Sequence, residues 1–269
     1  MPFNKAITGY KNEEEFANYL NNKKFGRINP IFQDLFYAIY GFIDFNDTIY
    51  SWVNYSKKKA DIYVKVNGYV RGISIKKGVK NSVHTEDINS LISFLEENGV
   101  SKKVIKEFLR YHYADGTITG KGKKRISSEE YKIYNQRYID FINENINKDK
   151  LLDKAINRFV LQGNNSSYEV SAIIYGVVDD FIWITKDEVK YILKKQKDNY
   201  STAIHFSGLT VQPLARNLNY NPKYENDRSK VQVKWYNISD DIIEVMGTYR
   251  NGRTLSSWLL GSHHCFNWT

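Results

Sequence analysis

The segment from Asp61 to Lys76, DIYVKVNGYVRGISIK, holds an acid, a hydroxyl and an ammonium that strand geometry can gather in one place. Asn67-Gly68 at its centre is a strong hairpin signal, because these two residues tolerate the positive φ that a type I′ turn requires. Folding at that turn lays the start of one strand beside the end of the next. Side chains alternate across a strand, so Ser74 and Lys76 share one face while Ile73 and Ile75 take the other. An acid on a strand end beside a polar–x–Lys pair suits phosphodiester hydrolysis. The carboxylate holds a hard divalent cation through oxygen, and the cation polarises the phosphate and makes water more acidic. The lysine positions or deprotonates that water and offsets the charge of the pentavalent state. The competing reading is a solvated basic hairpin.

The elements around this hairpin must supply the rest. The spacing of Phe16, Tyr19 and Leu20 predicts an opening helix over Asn12 to Asn21, and Glu13, three residues before Phe16, shares its inward stripe whereas Glu14 and Glu15 do not. Phe32, Leu35, Phe36 and Ile39 predict a second helix from about Ile31 to Tyr40. Strands are expected at Thr48–Asn54, Asp61–Val66 and Tyr69–Lys76, then a helix starting at Thr85-Glu86-Asp87 and capped by Gly99. Helices follow over Ser101–Tyr113, Glu129–Asn145 and Lys150–Val160, separated by the Gly/Lys loop Asp115–Arg125. Beyond Gly163 come strands at Glu169–Val178 and Phe181–Thr185, a helix over Lys186–Lys195, and strands near Ala203–Phe206, Thr210–Gln212, Lys230–Trp235 and Ile242–Tyr249.

An inward helix acid, the Asp61 strand, the Ser74-x-Lys76 strand and a following helix together resemble the PD-(D/E)xK nuclease superfamily over residues 12–100. The strings Ile73-Ser74-Ile75-Lys76-Lys77-Gly78 and Asn81-Ser82-Val83-His84-Thr85-Glu86 resemble its type II restriction endonucleases. The resemblance implies an α+β fold with a mixed sheet flanked by helices and an elaborated C-terminal half. It assigns Asp61 as the first metal-binding acid, Lys76 as the catalytic lysine and Mg2+ as cofactor. Ser74 falls where the family usually has Asp or Glu, and residue 60 is Ala where the motif's name has Pro. Glu13, with Glu14 as the fallback, is the substitute for the missing carboxylate. A homodimer acting on double-stranded DNA is the family expectation; a partner methyltransferase is not readable from this sequence.

Charge distribution points the same way. Between Lys57 and Lys80 there are eight basic residues and one acid, Asp61, a net +7 within an overall net charge of +9. Such a balance favours polyanions. Lys77, Lys80, Asn81 and His84 follow the lysine strand closely enough to touch DNA, with His84 and Glu86 in a helix-capping turn as the alternative. Lys123 and Lys124 lie in a loop that follows a nucleic-acid backbone or is a solvated linker. Along Lys230–Trp235, Lys230, Gln232 and Lys234 share one face. Gln offers a bidentate fork to adenine and Lys reaches guanine or phosphate, although an amphipathic strand with solvated lysines explains the same pattern. Arg216, Asn217, Asn219, Asn221 and Arg228 make the preceding loop a candidate for base readout.

With 269 residues, 42% of them hydrophobic, the chain is long enough to bury a core without staples and is no disordered polymer. The expected division is a catalytic core over 1–115, a helical basic connector over 116–160 and an α+β recognition region over 161–269. A single cysteine, Cys265, excludes an internal disulfide framework, and adjacent His263, His264 and Cys265 cannot all face one zinc ion. No G-x-x-x-x-G-K-[ST] loop or G-x-S-x-G elbow occurs. Nor is there an apolar run of membrane length or a signal core, so a cytoplasmic protein with no membrane partner is expected. The rival functions are a DNA-binding module whose nuclease centre has decayed, and a nuclease acting on branched DNA or RNA.

Overall fold

The computed structural model describes residues 5–56, 58–79, 81–122, 125–163, 169–196, 203–214 and 222–248. In chain order the elements are α1 (Lys5–Leu20), β1 (Lys23–Lys24), α2 (Pro30–Tyr40), β2 (Thr48–Val53), β3 (Ile62–Val66), β4 (Tyr69–Lys76), β5 (Asn81–Asp87) and α3 (Ile88–Glu97). They continue with α4 (Lys102–Tyr113), α5 (Ser128–Ile146), α6 (Asp149–Ile156), β6 (Val170–Val177), β7 (Asp180–Thr185), α7 (Lys186–Lys195), β8 (Ile204–Phe206), β9 (Leu209–Pro213), β10 (Lys230–Trp235) and α8 (Ile238–Thr248). The described residues form two interleaved compact units: those within 5–78, 161–189 and 238–248, and those within 79–160 and 190–237. These units cut across the linear segments 1–115, 116–160 and 161–269.

The first unit is a six-stranded mixed sheet in the order β1-β2-β3-β4-β6-β7. Every pairing is antiparallel except β4 with β6, which run parallel with Ser74 beside Ile173 and Lys76 beside Tyr175. The β3–β4 hairpin turns at Asn67 (φ 49°) and Gly68 (φ 85°), the two positive dihedrals its sequence demands. That turn sets Ile62 opposite Ile73, which carries Asp61 to the level of Ser74. Ile62, Val64, Ile73 and Ile75 enter one hydrophobic core together with Ala172 and Ile174 of β6. Phe16 of α1 meets Phe32 and Phe181 edge-on, with ring centroids 5.9 and 5.6 Å apart. Each such buried ring contributes about 1.5–3 kcal/mol relative to exposure, so α1 is clamped to the sheet about three turns from its start.

The second unit holds a four-stranded antiparallel sheet in the order β5-β10-β9-β8, with α3 to α6 and the rest of α7. Its central strand β10 alternates strictly, with Val231, Val233 and Trp235 buried and Lys230, Gln232 and Lys234 half-exposed.

Three expectations are corrected. Residues 81–87 form a strand paired with β10 rather than a helix start at Thr85, and only Asp87 caps α3, accepting from the Asn89 amide at 2.8 Å. Their place in the ladder, Thr85 opposite Gln232 and Glu86 opposite Val231, outweighs their capping tendency. Residues 242–248 are helical, not a strand, because Ile238, Ile242 and Val245 recur at i, i+4 and i+7 and are all buried. The opening helix begins at Lys5, a full two turns before Asn12. No described helix is long and apolar enough to cross a membrane.

Candidate active site

Asp61 is held in place by its backbone before its side chain does anything. Its amide donates to Ile73 O at 2.9 Å and its carbonyl accepts from the Asn54 amide at 2.9 Å, tying it to the ends of β2 and β4. Gly72 permits this approach, since a Cβ there would stand 2.8 Å from that of Ala60. Three donors then converge on one carboxylate oxygen. Asp61 Oδ2 accepts from Ser74 Oγ (2.8 Å), from the Ile75 amide (2.5 Å) and from Lys76 Nζ (3.0 Å). No donor among the described residues reaches Oδ1. Both Asp61 and Lys76 side chains keep 21% of their surface exposed, so the pair is accessible from one side.

Ser74 is almost wholly buried, and its hydroxyl proton is spent on Asp61. The residue in the acid position of the resemblance therefore acts here as a clamp on the other acid. Lys76 donates a second hydrogen bond to Ile75 O at 3.1 Å. An ammonium has three N–H groups, and among the described residues the third has no acceptor.

Glu13 joins this group from α1. Its pKa is raised, first by burial and next by the negative charge of Asp61; Lys76 acts in the opposite direction and Glu14 adds a smaller increase. The sequence spacing that turned Glu13 inward thus brings it into the field of both Asp61 and Lys76, while Glu14 and Glu15 remain exposed. Two supporting residues are not evident in the sequence. Asn12, buried, donates from Nδ2 to Gly176 O at 3.1 Å, pinning α1 to β6 one residue before Glu13. Tyr175 Oη likewise donates to Gly78 O at 2.8 Å and fixes the chain just after Lys76. Neither has a motif signal; both depend on the β4–β6 pairing.

The candidate DNA contacts scatter. Lys77 is exposed directly after β4. Asn81 begins β5 and is buried opposite Trp235. His84 is turned inward rather than into a capping turn: its Nε2 lies 3.3 Å from Glu86 and its ring 5.4 Å from that of Phe159. Burial alone would raise the pKa of Glu86, but hydrogen bonds and charge from His84 and Arg158 together pull it down to about 2. Arg158 grips both Glu86 oxygens, at 3.2 and 2.5 Å. Arg228 donates to Asp115 at 2.8 Å and to Gly122 O at 3.1 Å, so its guanidinium organises the 115–122 loop. Lys230 pairs with Asp227, and Gln232 accepts from Gln212. Lys80, Lys123, Lys124, Arg216, Asn217, Asn219, Asn221, His263, His264 and Cys265 lie outside the described residues.

No family model and no curated protein matches the sequence. Among solved structures, the chain is similar to restriction endonuclease MspI in complex with its cognate DNA. The match has a TM-score of 0.52 and 16% identity, and covers 87% of this chain and 93% of that one. The fold is restriction-endonuclease-like: a mixed α+β sheet flanked by helices.

Proposed function

We propose that this chain is a Mg2+-dependent endonuclease that hydrolyses double-stranded DNA at a specific sequence. The observation that carries the reading is the convergence of Ser74, the Ile75 amide and Lys76 on a single oxygen of Asp61, beside Glu13, on this fold. The donor set fits a hard cation. Two carboxylates are held close enough for one to raise the pKa of the other, a repulsion that a divalent ion between them would relieve. Asp61 and Glu13 would hold the ion, which when bound neutralises phosphate charge and makes water more acidic.

The chain's own residues do the positioning. Ser74 and the Ile75 amide fix the rotation of the Asp61 carboxylate, leaving Oδ1 as its outward oxygen. Lys76, anchored at Asp61 and Ile75 O, offers its third N–H to the nucleophilic water or to a non-bridging phosphate oxygen, where negative charge grows in the transition state. Asn12 holds Glu13 at its station. Cutting both strands at one site calls for two such centres, and a homodimer supplies them.

A DNA-binding module with a decayed centre is the second reading. It is favoured by the absence, among the described residues, of any group of three His, Cys, Asp or Glu side chains able to hold a metal. Incubation with mixed, unmethylated phage DNA in Mg2+ tests the choice. Discrete fragments that vanish with EDTA and with Lys76→Ala support the endonuclease. Intact DNA that still shifts in a gel, whether methylated or not, supports the decayed module. Preferential cutting of branched DNA or RNA would replace the substrate.

A further inference from the structure

The face of β10 that carries Lys230, Gln232 and Lys234 is an alternating strand of the second unit. Its central side chain is not isolated. Gln232 stands directly opposite Gln212 of β9 in the antiparallel register, and Gln212 Nε2 donates to Gln232 Oε1 at 3.3 Å. Gln212 is held in turn from its other end, where its Oε1 accepts from Tyr236 Oη at 3.3 Å. A chain Tyr236→Gln212→Gln232 therefore holds both amides in place. In the structure the amide oxygen of Gln212 faces Tyr236 and its nitrogen faces Gln232. Gln232 must then turn its oxygen toward Gln212 and its nitrogen away. No partner among the described residues reaches Gln232 Nε2, and its oxygen retains a second lone pair. Lys234 lies beside this row with its ammonium 5.6 Å from the Tyr236 ring centroid.

A glutamine amide with a fixed donor and an open acceptor matches the N7 acceptor and N6 donor that adenine shows in the major groove. A free glutamine wanders among rotamers and so discriminates weakly; one held from behind keeps its amide at one place on the strand face. The neighbouring lysine offers its charge to the backbone phosphates. We propose that Gln232 reads an adenine edge of duplex DNA, and that Gln212 and Tyr236 are positioning residues fixing its amide. The proposal rests on the DNA-cleaving function above and names the readout that function lacks.

The test is a binding selection on a random duplex library with full-length Lys76→Ala protein in Mg2+, repeated in that background with Gln232→Ala, Gln212→Glu, Tyr236→Phe and Lys234→Ala. The thermal transition of each variant is recorded to confirm folding. The selected site should contain an A·T pair whose preference falls roughly 10- to 100-fold with Gln232→Ala, the worth of a bidentate pair. Tyr236→Phe should weaken that same preference with little change in total affinity. In Gln212→Glu an acceptor replaces the donor facing Gln232, so the Gln232 amide should flip and shift the preferred base at that position alone. Lys234→Ala should lower affinity for all sequences equally. A selected site without an A·T pair, or one whose every preference survives Gln232→Ala, overturns the inference while leaving cleavage untouched. Cleavage by the unmutated protein, scored in parallel, separates this from failure of the endonuclease itself. Preferential retention of an RNA library would overturn the duplex reading.

Discussion

Replacing Ser74 with alanine removes the hydroxyl that donates to Asp61 Oδ2 at 2.8 Å. A hydrogen bond to a charged acceptor contributes about 1.5–3 kcal/mol. Asp61 keeps the Ile75 amide and Lys76 as donors, and its partial exposure lets water replace part of the loss, so a cost of about 1–2 kcal/mol is expected. For a chain of this size that lowers Tm by roughly 2–4 °C. The carboxylate also becomes freer to rotate, and each 1.4 kcal/mol of lost positioning costs about tenfold in rate. Ser74→Asp separates clamp from ligand. It sets a second carboxylate against Oδ2, destabilising the metal-free protein by about 1–4 kcal/mol across dielectric constants from water to a protein surface. Mg2+ should then raise its Tm more than it raises that of the unmutated protein. Calorimetry with and without saturating Mg2+, with single-turnover cleavage on the same samples, reads every quantity. If Ser74→Ala matches the unmutated protein in Tm and rate, and Ser74→Asp gains no extra stabilisation from Mg2+, the convergence on Asp61 does not organise the site.

Other expectations follow from the same geometry. Because the pKa of Glu13 is raised in the folded state, the folded protein binds that proton more tightly than the unfolded chain. The associated stability is full below the ordinary glutamate value and is lost as pH rises through the folded one. Glu13→Gln should therefore stabilise the metal-free protein at neutral pH while weakening Mg2+ binding, both measurable by thermal melts across pH. Lys76→Ala should lower the cleavage rate by about 10²- to 10⁴-fold with DNA affinity largely retained in a gel shift. In the second unit, Arg158→Ala strands the buried Glu86 carboxylate, and denaturant unfolding should show a loss of about 3–5 kcal/mol. The low Glu86 pKa means its stabilisation holds above the ordinary glutamate value and fades as pH falls toward about 2.

Much of the candidate site's geometry was legible because it is local. Asp61, Ser74 and Lys76 are brought together by one two-residue turn, and the spacing of Asn67-Gly68 fixes the register unaided. Glu13 was legible because the helical period ties its direction to Phe16. What stayed hidden depends on pairings distant in sequence. The parallel β4–β6 ladder joins Lys76 to Tyr175 across residues 79–160 of the second unit, so no local pattern announces Asn12, Gly176 or Tyr175 as supports of the site. The edge of β5 was misread because Thr-Glu-Asp has strong capping chemistry, and its strand partner arrives only at residue 230. Residues 242–248 misled through their β-favouring isoleucine and valine, whose spacing nevertheless fits a helix once Ile238 is included. Gln212 carries no signal until β9 and β10 are seen side by side.

Whether the Asp61 centre cleaves DNA is decided by Asp61→Asn. The substitution is nearly isosteric and keeps an oxygen for the Ser74 and Ile75 donors, but removes the charge that would bind Mg2+. Single-turnover cleavage of a duplex containing the selected site is compared for the two proteins, with DNA affinity measured in parallel. The rate should fall at least about 10²-fold with affinity little changed. Equal cleavage by both proteins would contradict cleavage at that centre.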